Sequence, residues 1–332
     1  MAGDYEKHES VILMIKQSQD AEREQREQAK EAKRFVTVRG AQWDKGSAEK
    51  MNGRFRGTFD MCSPIIDQIA GEIEQTDFSI RVSPAGGEAT KEKAKLLDGI
   101  VRNIRNISNF QDSLNACGRA NVISGFDCFE IVQDWVDADT FDQDLFIRRV
   151  PNAIDSVWFD LGSTEQDRSD SGWGVKLATI PKAEYDERWP EGSGLSVDDS
   201  AVNDYYTQGD SKETVTVAKL YYRKAKKVQL VRMTNGAIYK DDADFQSVKD
   251  ELAQSGIFVE TDEDGNEKRR TRDGWQVCSR MLDGGGWLSD EELTVFEFIP
   301  LVPVYGNFDI VDNNVTYSGK LENIMDTQRS LN

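Results

Sequence analysis

The feature that most constrains this chain is a change of apolar period at Gly125-Phe126. Before that point apolar residues recur at three- and four-residue steps. After it they alternate with polar ones. Side chains three or four apart share one face of a helix, whereas alternate side chains share one face of a strand. The chain therefore reads as helices first and strands second.

In the helical part, residues 9–35 contain no Gly or Pro. Behind the apolar knot Val11–Ile15, the stretch Gln17–Arg34 is polar almost all round. A helix polar on every face bridges solvent or touches a partner. Glu22, Arg23, Arg26, Glu27 and Lys30 are the candidates for an inter-subunit contact, the alternative being a solvated helix with one buried turn. Ser63-Pro64 reads as the N-cap and first residue of the next helix, where a missing N–H costs nothing. Ile65, Ile66, Ile69 and Ile73 stripe that helix. Phe78, Ile80 and Val82 alternate with Ser79, Arg81 and Ser83, which predicts a half-buried strand ended by Pro84. Ala94, Leu97, Ile100, Val101, Ile104 and Ile107 recur at helical spacing and are expected in the core. A further helix runs from Phe110 to a stop near Gly125.

From Phe126 the predicted strands are Asp127–Trp135, Leu145–Val150, Gly174–Ile180, Thr214–Arg223, Val228–Met233, Ile257–Thr261, Glu267–Leu282 and Thr294–Phe298. Asn235-Gly236 and Asp264-Gly265 are type I′ hairpin signals. Pro181–Trp189 and Asp241–Ser255 read as short helices, and 192–210 as a surface loop. The fold class is α+β, with N-terminal helices packed on mostly antiparallel strands and hairpins. The segments are a helical part, 1–125, a strand-rich part, 126–317, and a terminal helix, 318–332. In that helix Leu321, Ile324, Met325, Gln328 and Leu331 share a face, and Ser318 or Gly319 can cap it. Lys320, Asn323, Thr327 and Ser330 lie on the opposite face. Residues 320–330 are expected to be helical.

Composition narrows the chemistry. The 332 residues carry 41 Lys+Arg against 60 Asp+Glu, a net charge of −19. Non-specific DNA affinity needs a basic surplus to displace counterions, and this chain has the reverse. One histidine, His8, rules against a Ser-His-Asp triad or a multi-histidine metal site. The four cysteines, Cys62, Cys117, Cys128 and Cys278, form no CxxC pair and read as reduced, mostly buried thiols. The acidic start does not read as a signal peptide. No apolar run approaches the ~20 residues that span a bilayer.

Two carboxylate groupings invite a metal reading. The stretch from Glu260 through Asp262 and Asp264 resembles half an EF-hand loop, but the twelfth position falls on Thr271. A hairpin turn with solvated carboxylates is the simpler account. Asp160, Asp167 and Asp170 could hold a hard cation, or could cap turns. Asp283-Gly-Gly-Gly-Trp287 lacks the Lys-Ser/Thr of a phosphate-binding loop. No catalytic residue, cofactor or metal site is assigned.

Several ordered segments resemble portal proteins of tailed bacteriophages of the short-tailed type. They are Phe35–Trp43; Arg54–Asp60 with Pro64-Ile65-Ile66 and Ile80–Pro84; Gly125–Ile131; Val157–Asp160 with Asp167–Asp170; and Ile299–Gly306 leading through Tyr317–Gly319 to Gln328-Arg329. The resemblance implies a non-enzymatic subunit of a dodecameric ring at the capsid vertex of the virion, assembled in the host bacterial cytoplasm. Its implied role is a conduit for DNA packaging and ejection and a platform for head-tail joining. Implied partners are the major capsid protein, terminase, tail or adaptor proteins, and double-stranded DNA that passes without sequence-specific binding. No membrane is involved. The chain resembles the wing region plus the opening of a long stem helix, which implies that residues 320–330 project from the strand-rich body. Lys320, Asn323, Thr327 and Ser330 would then lie nearer the channel. The alternatives are a carboxylate-dependent hydrolase or another phage head-tail structural protein.

Overall fold

The computed structural model describes residues 5–43, 46, 53, 57–76, 78–85, 90–197, 214–262, 266–311 and 314–332. The secondary structure changes from helix to strand at Gly125, where the apolar period changes. Compactness divides the chain along another line. Met1–Tyr221, Arg280–Asp290 and Ile299–Asn332 form one unit, and Tyr222–Ser279 with Glu291–Phe298 form a second.

The larger unit is built around α1 (His8–Thr37), a helix of 30 residues. It is followed by α2 (Cys62–Gln75), α3 (Lys91–Ile107) and α4 (Phe110–Ser124). The Asp60 carboxylate accepts the amides of Cys62 and Ser63 at 3.0 and 3.1 Å and so caps α2. The helix thus begins one residue before the expected Ser63 cap. Gly125 ends α4 at φ +76°, a left-handed conformation that glycine adopts without penalty. Its missing Cβ is also required, because one would lie 2.3 Å from the Ser318 backbone.

The chain then enters β1 (Phe126–Trp135), which pairs antiparallel with β2 (Gln143–Arg149). A short helix, α5 (Ala153–Ser156), leads to β3 (Val157–Phe159), which pairs antiparallel with β4 (Trp173–Pro181). The helix α6 (Lys182–Arg188) matches the expected Pro181–Trp189 segment. Tyr185, Val215 and Val217 form a small core with Ile180, Trp189, Met281 and Leu288 around it.

Beside β1, on the side away from β2, lies β9 (Leu301–Tyr305), with Phe126 opposite Tyr305. A hairpin of β10 (Asn307–Val311) and β11 (Asn314–Ser318) precedes the last helix, α8 (Glu322–Leu331). The main helical core joins Ala32 and Phe35 of α1, Cys62 and Ile66 of α2, Val122 and Ile123 of α4, and Leu321 and Met325 at the chain's end.

The second unit takes residues from β5 (Thr214–Arg232) and β7 (Arg269–Leu282), both of which also contribute to the first. It adds β6 (Ile238–Lys240), α7 (Ala243–Gln254) and β8 (Glu292–Leu293). The Asn235-Gly236 hairpin forms, but not with a type I′ turn, which needs positive φ at both residues, and Asn235 does not have it. Gly236 sits at φ +84°, and Arg232 pairs with Ile238 across the turn. The core of this unit is Val231, Met233 and Phe245, flanked by Tyr239, Leu252, Ile257 and Val259.

Several expectations need correction. Thr214–Arg223 and Val228–Met233 are one continuous strand. Ile257–Thr261 makes only isolated bridges, and Thr294–Phe298 is not a strand. Phe78–Val82 forms none either, since no strand among the described residues pairs with it, and Phe78 and Ile80 stay 51 % and 57 % exposed. In α3 only Ala94 is fully buried, and Leu97 and Ile100 are exposed. The Asp264-Gly265 signal and Arg54-Phe55-Arg56 lie outside the described residues.

Candidate functional site

The polar chemistry of the larger unit is concentrated along α1. The stretch that reads as polar all round has a buried stripe: Val11, Ile15, Ser18, Arg26, Ala29, Ala32 and Phe35. Ser18 and Arg26 sit on that stripe because each finds a partner there. The Ser18 hydroxyl donates to the Phe159 carbonyl at 3.0 Å. The Arg26 guanidinium donates to the carbonyls of Ala153 and Ile154 at 3.3 and 2.5 Å. It lies 3.9 Å from the Trp158 ring centroid and 4.8 Å from that of Phe126. Glu22, one turn back, closes an ion pair with it at 2.6 Å. Burial works against the charge, but the Glu22 carboxylate, charged and hydrogen-bonded to it, holds the guanidinium more firmly protonated.

A second buried arginine extends this seam. Arg168 donates to the Tyr305 hydroxyl at 3.0 Å and to the Ser163 carbonyl at 2.6 Å. It lies 4.0 Å from Glu22. Gln25 donates to the Tyr317 carbonyl at 2.8 Å. The rings of Tyr305, Tyr317 and Phe126 stack around this group. Burial pushes the Tyr317 and Tyr305 hydroxyls up, so both stay neutral.

The other node is Asp283, fully buried at the start of the glycine run. It accepts from the hydroxyls of Tyr185 and Ser193, the Ser193 amide, and the amides of Gly285 and Gly286. Burial raises its carboxyl, but Tyr185, Ser193 and the two glycine amides outweigh that and hold it below the ordinary carboxylate range. The glycines bring backbone amides to one carboxylate rather than to a phosphate. His8 contacts the Asp283 carbonyl at 2.8 Å and meets the Trp287 ring edge-on.

These findings relocate the residues chosen from sequence. Arg26 is buried, and Glu22 is nearly so, both engaged within the larger unit. Lys30 pairs with Asp155. Arg23 and Glu27 remain on the exposed face. The length of the polar stretch thus has an intramolecular cause. Lys320, Asn323, Thr327 and Ser330 do share an exposed face.

Their helix does not project. Leu321, Met325 and Gln328 are buried against the larger unit, and Gln328 bonds the Met61 amide at 3.0 Å and the Phe59 carbonyl at 2.6 Å. Leu331, expected on the packed face, is 60 % exposed. Docking wins because the apolar stripe of α8 meets the apolar surface that Ala32, Phe35, Cys62, Ile66, Val122 and Ile123 offer.

The Asp160 cluster is turn chemistry. Asp170 accepts from Ser163 and the Thr164 amide, Asp167 from the Ser169 amide, and Asp160 from the Gly162 amide. No group of three or more potential ligands is positioned for a metal ion among the described residues. All four cysteines are free and buried. Burial beside Asp127 pushes the Cys117 thiol up to about 12. Arg168, Tyr305 and Asp283 were missed from sequence because each also has a partner 90 or more residues away.

By class, this is an α+β protein whose buried charges hold segments together. The sequence model of the phage P22-like portal protein family matches residues 13–332, and the chain belongs to that family. The portal protein of Acyrthosiphon pisum secondary endosymbiont phage 1 is 27 % identical over 348 aligned positions, covering 98 % of this chain. The match takes up 46 % of that relative, so the chain spans about half its length.

Proposed function

We propose that this chain is a subunit of the portal ring at a phage capsid vertex, a structural conduit for double-stranded DNA during packaging and ejection. The observation that carries this reading is the family match over residues 13–332. Two physical features support it. The net charge of −19 discourages phosphate backbones from sticking to exposed surfaces, since such charges act over about 8–10 Å at physiological salt. The buried carboxylate Asp283 is saturated by donors, which suits a fixed architecture and not proton transfer.

The copy number is twelve, and the partners are the major capsid protein, terminase and tail or adaptor proteins. The site of action is the virion, after assembly in the host bacterial cytoplasm. The exposed Arg23 and Glu27 face a neighbouring subunit. The exposed Lys320, Asn323, Thr327 and Ser330 mark the side nearer the channel. No helix among the described residues is long and apolar enough to cross a membrane. Electron microscopy of the purified chain tests the reading. Closed rings of twelve copies around a channel are expected; a monomer at all concentrations refutes it.

A further inference from the structure

We propose that α3 of one copy docks head-to-tail on α2 of a neighbouring copy. This names the contact between subunits and rests on the ring reading above.

The first observation is exposed apolar area where a core stripe is expected. Leu96, Leu97 and Ile100 of α3 are 67 %, 51 % and 46 % exposed. Leu96 and Ile100 are one turn apart, and Leu97 flanks them. The helix packs through its other side on β2 and α4. Contiguous exposed apolar surface of this kind marks an interaction site.

The second observation is charge. In a chain with a large acid excess, α3 carries Lys91, Lys93, Lys95, Arg102 and Arg105 against Glu92 and Asp98. Among the described residues, no ion pair engages the three lysines. By contrast, α2 carries Asp67, Glu72 and Glu74 and no basic residue, and its Ile65 is 44 % exposed. The two helices are therefore complementary in sign, and each offers apolar area. Such complementarity fixes register and rejects wrong partners.

The third observation is shape. Gly71 lies on the exposed side of α2, and a Cβ there would meet nothing within 4 Å. The surface of α2 at Gly71, about a third of a turn round from Ile65, is thus open to a side chain from outside. Docking one patch on a different patch is a heterologous contact, the kind that generates a ring when its rotation closes. A nucleic acid would also meet the lysines, but phosphates would leave Leu96, Leu97 and Ile100 in water. The apolar stripe favours a protein.

The test mixes full chains carrying Ile65→Cys with full chains carrying Leu97→Cys and oxidises them. The native thiols are buried and give little background. Linked dimers should contain one chain of each kind, with like pairs rare. Adding Gly71→Trp to the first chain fills open space, so its unfolding midpoint should hold while linking falls by about tenfold, as expected for a blocked central position. Like pairs in excess, or linking unaffected by Gly71→Trp, overturn the proposal. So does a K91E/K95E pair that loses bound duplex DNA while linking persists. Rings in the microscope without 65–97 linking refute this contact alone. Linked dimers without rings support the contact and refute the ring reading. Absence of both refutes both.

Discussion

Replacing Arg26 with Ala tests whether the buried seam holds α1 in place. Three losses follow from the geometry. The Ala153 and Ile154 carbonyls lose their donor, and a buried unsatisfied group costs about 1–3 kcal/mol. The guanidinium leaves the faces of Trp158 and Phe126, where a desolvated cation is worth about 2 kcal/mol. Glu22 loses its close partner and keeps only Arg168 at 4.0 Å. These effects share one network and do not add. Breaking a buried pair from one side costs about 3–5 kcal/mol, and about 4 is expected here. That is close to a thousandfold in the local opening constant, at tenfold per 1.4 kcal/mol.

The assay is hydrogen exchange of the 8–37 peptide, read against peptides of the second unit, whose protection should not change. Arg26→Met combined with Glu22→Gln is the control. Removing both charges while keeping bulk between the rings should recover more than half of the loss. A cost below about 1 kcal/mol for Arg26→Ala, less than one unsatisfied carbonyl, would refute the reasoning. A double variant as unstable as the single one would do the same.

Other outcomes follow from the same structure. Asp283→Ala leaves five donors unsatisfied and should cost about 3 kcal/mol at neutral pH in denaturant titration. The native Asp283 carboxyl titrates below its ordinary value, so its contribution is complete above about pH 4 and fades as pH falls through the lower native value. The gap between wild type and variant should therefore close in acid; a gap that widens would contradict the assigned donors. Gly125→Ala forces a side chain into left-handed backbone and against Ser318, and should lower stability by more than about 1 kcal/mol; an unchanged melting curve would sink that account. The four thiols should react with a thiol reagent only as the chain unfolds, and fast labelling of Cys117 in native buffer would contradict its burial.

Local patterns were readable where the partner is close in sequence. The apolar period placed α1, α4 and β1, and Asn-Gly placed the β5–β6 turn, because each signal lies within one element. Distant partners were not readable. Strand β9 is five residues long and pairs with β1 across more than 170 residues, so nothing near Leu301 announces it. Alternation at Phe78–Val82 describes a face without saying whether another strand comes to meet it. The stripe on α3 is genuine and unburied, since periodicity reports amphipathicity and not what covers it. Arg26 looked like surface charge because its acceptors are the carbonyls of α5 and its bed is two rings from different strands.

The reach of α1 has a consequence for synthesis. Its partners include the Asp283 carbonyl, 275 residues from His8, and the Tyr317 carbonyl, 292 residues from Gln25. At about 5–20 residues per second, roughly 15–60 s pass between translation of Gln25 and of Tyr317. During that interval Phe35 and Ala32 have Cys62, Ile66, Val122 and Ile123 to pack on but lack Leu321 and Met325, so part of the apolar stripe of α1 stays uncovered. Its dense charge then serves as a solubility tag for an unfinished core. Until residues 317–325 are made, the contacts that hold α1 against them cannot form.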